Sequence, residues 1–97
     1  MDFRFDDRHL EALYFEEDAR SLPQGIAESF FELMSVIAAA RDERDLRALR
    51  SRRYEKLKGK RSHQHSLRLN KQYRLIVERE KSNAGITLVI KGVEDYH

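Results

Sequence analysis

The spacing of the apolar residues changes once along this chain, near Tyr54, and that change constrains the fold more than any other feature. Before this point the apolar residues recur at helical intervals, and one wide stripe consists of Ile26, Phe30, Leu33, Met34 and Ile37. Beyond it apolar and polar residues alternate, which is typical of strands with one buried face. Helices followed by antiparallel strands predict an α+β fold, with the helices on one face of the sheet.

The first half of the chain is predicted to hold one short strand and two helices. Residues 2–5 alternate as a strand, and an aspartate directly after them caps a helix that ends near Asp18. Pro23 is expected in the first turn of the second helix, which ends near Ala40. The charged segment 41–53 is expected to contain at most a short turn of helix.

The second half is predicted to form antiparallel strands with a polar outer face. The strands lie at Ser66–Asn70, Tyr73–Glu78 and Ile86–Ile90, with a hairpin loop over residues 81–85. The last of them is almost wholly aliphatic or β-branched, which favours an interior position in the sheet. If Leu67 faces the helices, alternation turns Arg68 to the opposite, open face.

Length and composition limit what this chain can be. Its 97 residues are enough for one domain, 1–97, with a single core. There are no cysteines, which excludes disulfides and thiolate zinc sites, and no apolar stretch is long enough to span a bilayer. The first residues, MDFRFDDR, lack the basic and apolar regions of an export signal. A cytoplasmic location is therefore expected.

Charge is divided unevenly along the chain, although the net charge is only +2. Residues 1–45 contain 5 Arg or Lys against 12 Asp or Glu, whereas residues 46–97 contain 14 against 5. Such asymmetry is typical of a protein whose basic part faces a polyanion. The alternative is that the two halves neutralise each other across the fold.

A cluster of cations is predicted on the open sheet face. The loop Lys56-Leu57-Lys58-Gly59-Lys60-Arg61 supplies four positive charges, and Arg68 and Arg74 project from the strands that follow. Such a basic concavity can hold phosphates. Nearby aromatic side chains that could stack on bases are Tyr54, Tyr73 and Tyr96. An arginine on a strand is also compatible with a solvated sheet face.

Two histidines are spaced for a shared strand face. His63 and His65 differ by two positions, so on a strand they would lie on one side and could in principle bind a metal ion. No third ligand is evident from the spacing, and no metal site is predicted. His9, in the first helix, is expected to be solvated.

Four separated motifs fall within Leu57–His97. They are Leu57-Lys58-Gly59, Ser66-Leu67-Arg68-Leu69-Asn70, Tyr73-Arg74 and Asp95-Tyr96-His97. In this order they resemble the HigB, or plasmid-maintenance killer, group of RelE-like toxins. Over the first 56 residues the resemblance is confined to the lengths and order of the helices. It implies a RelE-like microbial RNase-type fold, with an N-terminal strand and two helices on one face of a mainly antiparallel sheet.

The resemblance also implies a function. Members of this group are the toxins of two-gene, type II toxin–antitoxin systems, and they act as metal-independent endoribonucleases that cut mRNA in the decoding site of a translating ribosome. The expected partners are the ribosome, mRNA and a HigA-like DNA-binding antitoxin, with which the toxin would form a hetero-oligomer. No cofactor and no membrane association are expected.

The site that the resemblance implies lies in the basic half of the chain. Its catalytic positions fall on Asp95, Tyr96, His97, Arg74 and Lys58. Further contacts to RNA phosphates are expected from the remaining cations of the basic loop and strand, Lys56, Lys60, Arg61 and Arg68.

One position departs from the group. Many members carry His-Pro directly before the Leu-Lys-Gly segment, and that histidine belongs to their active site, whereas this chain has Glu55 and Lys56 there. Glu55 could replace the histidine as the base if a low-dielectric pocket raised its pKa.

Three other functions are compatible with the sequence. A ParE-like gyrase poison would share the fold without the nuclease site, and a non-catalytic nucleic-acid-binding module would use the same basic face. A metal-dependent nuclease would instead use acids from the acidic half, such as Asp42, Glu43 and Asp45.

Overall fold

The computed structural model of this chain describes residues 1–18, 22–23 and 25–95. The helical elements within them are α1 (Arg8–Glu16), α2 (Ile26–Ala39), α3 (Glu43–Ala48) and two 3-10 turns, Arg50–Arg52 and Gly59–Arg61. The strands are β1 (Phe3–Phe5), β2 (Glu55–Lys56), β3 (Gln64–Arg68), β4 (Tyr73–Ser82) and β5 (Gly85–Asp95). The predictions made for Tyr96 and His97 fall outside the described residues.

In the described part of the chain the strands form one five-stranded sheet in the order β1-β5-β4-β3-β2. Every neighbouring pair is antiparallel except β1 and β5, which run parallel with Phe3 opposite Leu88. The mainly antiparallel α+β arrangement expected from the sequence is therefore confirmed. The interior position expected for Ile86–Ile90 is also correct, because β5 has a partner strand on each side.

The helices and the sheet share one apolar core. The stripe on α2 is fully buried, and it packs with the inward residues of the central strands, Leu67, Leu75, Val77, Leu88 and Ile90. Aromatic contacts join the layers: the Phe5 ring lies 5.4 Å from that of Tyr14 and 6.3 Å from that of Phe30. Because Leu67 and Leu69 belong to this core, the predicted direction of β3 is confirmed.

The predicted start of α1 is confirmed, and the predicted start of α2 is not. Asp7 caps α1, since its Oδ1 accepts hydrogen bonds from the backbone of His9 and Leu10 at 2.9 and 3.0 Å. The prediction that Pro23 lies inside the first turn of α2 is wrong, because α2 begins at Ile26. Gly25, with φ of 82°, turns the chain before the helix, a conformation that glycine adopts without steric cost.

The charged segment after α2 is more regular than its sequence suggests. Residues 43–48 form α3, and a 3-10 turn follows directly. Asp42 caps α3 by accepting from the backbone N–H of Arg44 at 2.9 Å, and Leu46 is buried in the core. One cap and two buried side chains, Leu46 and Glu43, hold this short helix, and they produce no apolar period that could be read from the sequence.

The β4–β5 hairpin is longer than predicted. The two strands pair as far as Ser82 opposite Gly85, so the predicted loop over residues 81–85 shrinks to a tight turn at 83–84. The charged residues before the turn interrupt the apolar pattern, but backbone hydrogen bonds between strands do not require apolar side chains.

An irregularity in β5 determines which side chains reach the open face. Ile76 lies opposite Gly92 and Val77 opposite Ile90, so Lys91 is an extra residue in β5. Ile90 is fully buried, and Val93, three positions later, also packs against the core. In an unbroken strand two residues three positions apart would face opposite sides. The bulge therefore reverses the alternation and turns Glu94 away from the helices.

Deleting Lys91 tests whether this strand needs its extra residue. Without Lys91, Val93 follows Ile90 at an even spacing, so regular alternation keeps Val93 inward and Glu94 on the open face. The deletion and Lys91→Ala both lose the ion pairs of this lysine, and we expect each to lower the free energy of unfolding by less than about 1 kcal/mol. Urea unfolding followed by circular dichroism measures both variants. A loss of about 3 kcal/mol or more for the deletion alone would show that the bulge itself stabilises the strand.

A buried ion network fastens α3 to the sheet. Glu43, which is 7% exposed, accepts two hydrogen bonds of 2.7 Å from Arg79 and one of 2.8 Å from the Tyr54 hydroxyl. Burial raises the pKa of Glu43, but the hydrogen bonds from Arg79 and Tyr54 outweigh it and leave the pKa below its ordinary value. The Tyr54 ring stacks on His65 at 4.9 Å, and the same network extends to β3.

Because the pKa of Glu43 is lowered in the folded state, its carboxylate stabilises the fold at neutral pH and loses that effect as pH falls below its ordinary pKa of 4.5. We expect Glu43→Gln to lower the free energy of unfolding at pH 7 by about 2 kcal/mol. The difference from wild type should narrow at pH 3.5.

Glu80→Gln is the matched control, since Glu80 makes an exposed ion pair with Arg4 at 2.8 Å. It should change the free energy of unfolding by less than about 0.5 kcal/mol. A loss for Glu43→Gln that is equal at both pH values would contradict the electrostatic account.

Candidate functional site

The open face of the sheet carries a cleft of about 310 Å³ beside its β2 edge. The described residues that line it are Glu55, Lys56, Leu57, Lys58, Arg61 and Arg74. Except for Leu57, every one of them is a residue for which the sequence predicts a role in catalysis or phosphate binding. The fold thus brings together side chains from β2, the basic loop and β4.

Local backbone geometry places the basic loop over the sheet. β2 pairs with β3, with Lys56 opposite His65, and the backbone N–H of Leu57 donates to the Gln64 carbonyl at 2.9 Å. Gly59 then turns the chain with φ of 66°, and the 3-10 turn that follows directs Arg61 back toward β4. The glycine of the basic loop is therefore a turn residue that folds the cations into a cleft.

Glu94 joins two arginines of the cleft. Its carboxylate accepts from both terminal nitrogens of Arg61 at 2.8 and 2.6 Å, and one carboxylate oxygen lies 3.7 Å from a terminal nitrogen of Arg74. The hydrogen bond from Arg61 is the main reason why the pKa of Glu94 lies below its ordinary value. Arg74 is largely enclosed, with its side chain 19% exposed, while those of Arg61 and Glu94 are each 40% exposed.

Polar contacts continue from this group along the open face. Gln64 accepts from Arg61 at 2.8 Å and donates from Nε2 to Glu78 at 3.0 Å. Glu78 in turn lies 4.0 Å from the ammonium of Lys91, which pairs with Asp6 of the first loop. Charges of both signs thus alternate across the face, and Arg61 is held by two partners at once.

Glu94 and Gln64 contact the cleft through Arg61, and the site predicted from the sequence gives neither of them a role. Arg74 lies directly opposite Glu94 in the β4–β5 register, so a correct register would have found the pair. Alternation along the sequence could not place Glu94 on the open face, because the bulge at Lys91 reverses the alternation between Ile90 and Val93. Gln64 lies before the predicted start of its strand, and β3 in fact begins with it.

Other predicted site residues lie apart from the cleft wall. Lys60 is exposed in the 3-10 turn, and Arg68, opposite Arg74 on β3, donates from Nε to the Asn70 carbonyl at 3.2 Å. Asp95 is exposed at the end of β5, where Gln72 donates to its carboxylate at 3.5 Å. Asp95 directly follows Glu94, so the chain approaches its last two residues next to the cleft.

The environment of Glu55 differs from the one its predicted role requires. The residue lines the cleft but is exposed on β2, an edge strand of the sheet. An exposed carboxylate stays hydrated, so the described residues do not enclose Glu55 in a low-dielectric pocket. A role as base would require a bound partner to cover it.

The expectations for Tyr54 and for the histidine pair are wrong. Tyr54 packs against the core and donates to Glu43, and its ring is already engaged by His65, stacked at 4.9 Å, and by Arg47, 5.7 Å from the ring centroid. His63 lies in the turn before β3, 3.8 Å from Glu78, while His65 is buried against Tyr54, so the two histidines do not share a face. Among the described residues no group of three or more potential ligands is arranged for a metal ion.

The acids proposed for a metal-dependent nuclease are instead engaged with arginines. Asp42 pairs with Arg44 at 2.8 Å and Asp45 with Arg41 at 3.3 Å, while Glu43 belongs to the buried network. Asp42 and Glu43 border a larger cavity of about 630 Å³ at the end of the sheet where the β4–β5 turn lies. That region is separate from the basic cleft and shares no lining residue with it.

Comparisons with known proteins agree with the architecture. Residues 3–97 match the family model described as the RelE-like toxin of type II toxin-antitoxin system HigB. The chain is 39% identical over 80 residues to Toxin HigB-1 of Vibrio cholerae serotype O1, which covers 80% of this chain and 83% of that protein. A solved YoeB/ParE toxin from Agrobacterium tumefaciens superposes over 100% of both chains, with a TM-score of 0.57 and 17% identity.

The fold is thus that of a RelE-like toxin. Within that class, the chain belongs to the HigB-like family of type II toxin–antitoxin systems. Membership of a type II system implies a cognate antitoxin as partner. No helix among the described residues is long and apolar enough to cross a membrane.

Replacing either arginine of the cleft tests whether it binds phosphate. We expect Arg61→Ala and Arg74→Ala each to weaken binding of a short single-stranded RNA, and to reduce the slope of log affinity against log salt by about 0.7. Fluorescence anisotropy between 50 and 200 mM salt, roughly the range in which such contacts are lost, measures this slope. Arg8→Ala, which removes an exposed charge from α1, is the control and should leave the slope unchanged. Equal slopes in all variants would place the RNA elsewhere.

Proposed function

We propose that this chain is a ribosome-dependent endoribonuclease that cuts mRNA in the decoding site and so inhibits translation. The observation that carries the proposal is the basic cleft, in which Arg61, Arg74 and two lysines converge next to the strand end that leads into Tyr96 and His97. Membership of the HigB-like toxin family supports it. The cations of the cleft suit an RNA backbone, because every phosphodiester group carries a negative charge whatever the base sequence.

In this mechanism Arg74 and Lys58 stabilise the phosphate. Cleavage by attack of the 2′-hydroxyl places additional charge on the phosphoryl oxygens in the transition state, and fixed cations lower its energy. Arg74 suits this role because its planar guanidinium can contact two oxygens at once and its surroundings hold it in place. Lys56, Lys60, Arg61 and Arg68 add sequence-independent attraction for the flanking phosphates.

Proton transfer is assigned to the residues that follow β5. His97 acts as general acid or base, because an imidazole with a pKa near 6.5 is available in both forms around neutral pH. Asp95 orients His97 or holds a cation, and Tyr96 stacks on a base or donates a hydrogen bond. Glu55, at the position of the histidine found in many members of the group, takes the 2′-hydroxyl proton once the ribosome and RNA cover it.

Dependence on the ribosome follows from the small number of acid–base groups in this site. Holding the 2′-hydroxyl in line with the leaving oxygen contributes a large part of the rate in such reactions. A ribosome that fixes the mRNA in its decoding site can supply this orientation. The proposal places the toxin in the cytoplasm, with a HigA-like DNA-binding antitoxin as its partner in a hetero-oligomer.

Primer extension on mRNA from cells that express the toxin tests the function. Codon-phased 5′ ends that require translation are expected of a ribosome-dependent nuclease. DNA damage without new mRNA ends would instead indicate a ParE-like gyrase poison. Growth inhibition with neither effect would indicate a non-catalytic binding module.

His97→Ala tests the assignment of the acid–base group. Loss of a positioned acid–base residue typically lowers the rate by about 10²–10⁴-fold, so the variant should lose growth inhibition and mRNA cleavage. Thermal unfolding is measured alongside, and a midpoint equal to that of wild type would show that the loss of activity is not a loss of folding. His9→Ala on the exposed surface of α1 is the control and should stay toxic. A fully toxic His97→Ala would refute the assignment.

A further inference from the structure

We propose that Glu94 is a specificity-determining residue whose carboxylate occupies the position of an RNA phosphate in the cleft and competes with free RNA for Arg61 and Arg74. The inference rests on the proposed function in one respect, since it takes the cleft to be where RNA binds. It adds that the toxin itself carries an anionic group that competes with RNA for the two arginines.

The geometry of the pair is that of an anion site already filled. Arg61 contacts Glu94 through both terminal nitrogens, at 2.8 and 2.6 Å, in the parallel two-bond arrangement that arginine also forms with phosphate. The same carboxylate lies 3.7 Å from Arg74. One anionic group therefore bridges two guanidinium groups, as a phosphodiester would with the two non-bridging oxygens that share its negative charge.

The position of Glu94 in the strand is compatible with displacement. It lies on the open face because of the bulge at Lys91, and its side chain is 40% exposed, so it can leave the arginines without disturbing the core. Arg61 keeps a second partner when this happens, because Gln64 accepts from it at 3.0 and 2.8 Å. The guanidinium would thus stay oriented toward the cleft while its anionic partner changes.

Competition of this kind favours RNA that is held in place. A free RNA must displace the intramolecular carboxylate at its own low concentration, whereas RNA fixed beside the cleft presents its phosphate at a high effective concentration. Glu94 thereby lowers the affinity of the isolated toxin for free RNA, and an RNA held by a partner is affected much less.

The test compares two isosteric substitutions that each remove one negative charge. Glu94→Gln frees arginines inside the cleft, and Glu80→Gln frees Arg4, its partner at 2.8 Å, outside it. The probe is a fluorescent single-stranded RNA with 2′-O-methyl riboses, which cannot be cleaved, and binding is followed by anisotropy at constant salt. We expect Glu94→Gln to bind at least about threefold more tightly than both wild type and Glu80→Gln.

A measurement on the wild-type protein complements the variants. With ¹³C- and ¹⁵N-labelled protein, titration with inorganic phosphate should shift the Arg61 Nε resonance and the Glu94 carboxyl carbon resonance together. The reason is that phosphate, when it binds Arg61, displaces the Glu94 carboxylate. Phosphate binding that moves Arg61 and leaves the Glu94 carboxyl carbon unchanged would contradict displacement.

The outcomes separate this inference from the function itself. RNA affinity of Glu94→Gln that equals that of Glu80→Gln, or is lower than wild type, overturns the competitor role and assigns Glu94 to positioning Arg61. Tighter binding by Glu94→Gln supports the competitor role even if induced cells show no codon-phased mRNA ends, a result that would refute only the nuclease proposal.

Discussion

The antiparallel pairing of β4 with β5, with one extra residue at Lys91, is the constraint on which the rest of this structure depends. Before the bulge, β5 directs its apolar residues into the core beneath α1 and α2. After it, the alternation is reversed, so Val93 still packs inward and Glu94 faces the open side opposite Arg74. One backbone irregularity thus allows a single strand to complete the core and to supply a charged wall of the cleft.

The two faces of the sheet handle charge in different ways. On the helix side, Glu43 is buried with Arg79 and Tyr54, and the fixed hydrogen bonds of this network hold α3 against the strands. On the open side the ion pairs are partly exposed, which makes their partners exchangeable at modest cost. Exchangeable ion pairs suit the polyanion that we propose for the open side, whereas fixed ion pairs suit the anchoring of α3 on the helix side.

Site residues within local motifs could be predicted from the sequence, whereas residues that reach the site through strand register could not. Motif resemblance led to Lys58, Arg74 and, at the position that departs from the group, Glu55, while the charge of the basic loop led to Lys56 and Arg61. The fold gathers all five into one cleft. Neither the resemblance nor the charge gave a sign of Glu94 as the partner of Arg61, because the contact joins residues 33 positions apart through a register that includes a bulge. The histidine pair was mispredicted because His63 lies in a turn, where strand alternation does not apply. Tyr54 was mispredicted because its hydroxyl bonds to Glu43, a residue 11 positions away on another element.

The sequence by itself determined the α+β class, the apolar stripe of α2, the aspartate cap of α1, the inward face of β3 and the interior position of β5. These follow from local periodicity and capping, which act over a few residues. Only the tertiary structure decided the formation of α3, the burial of Glu43 and the meeting of Glu94 with Arg61 and Arg74. Each of these depends on pairing or packing between distant segments, which local periodicity does not encode.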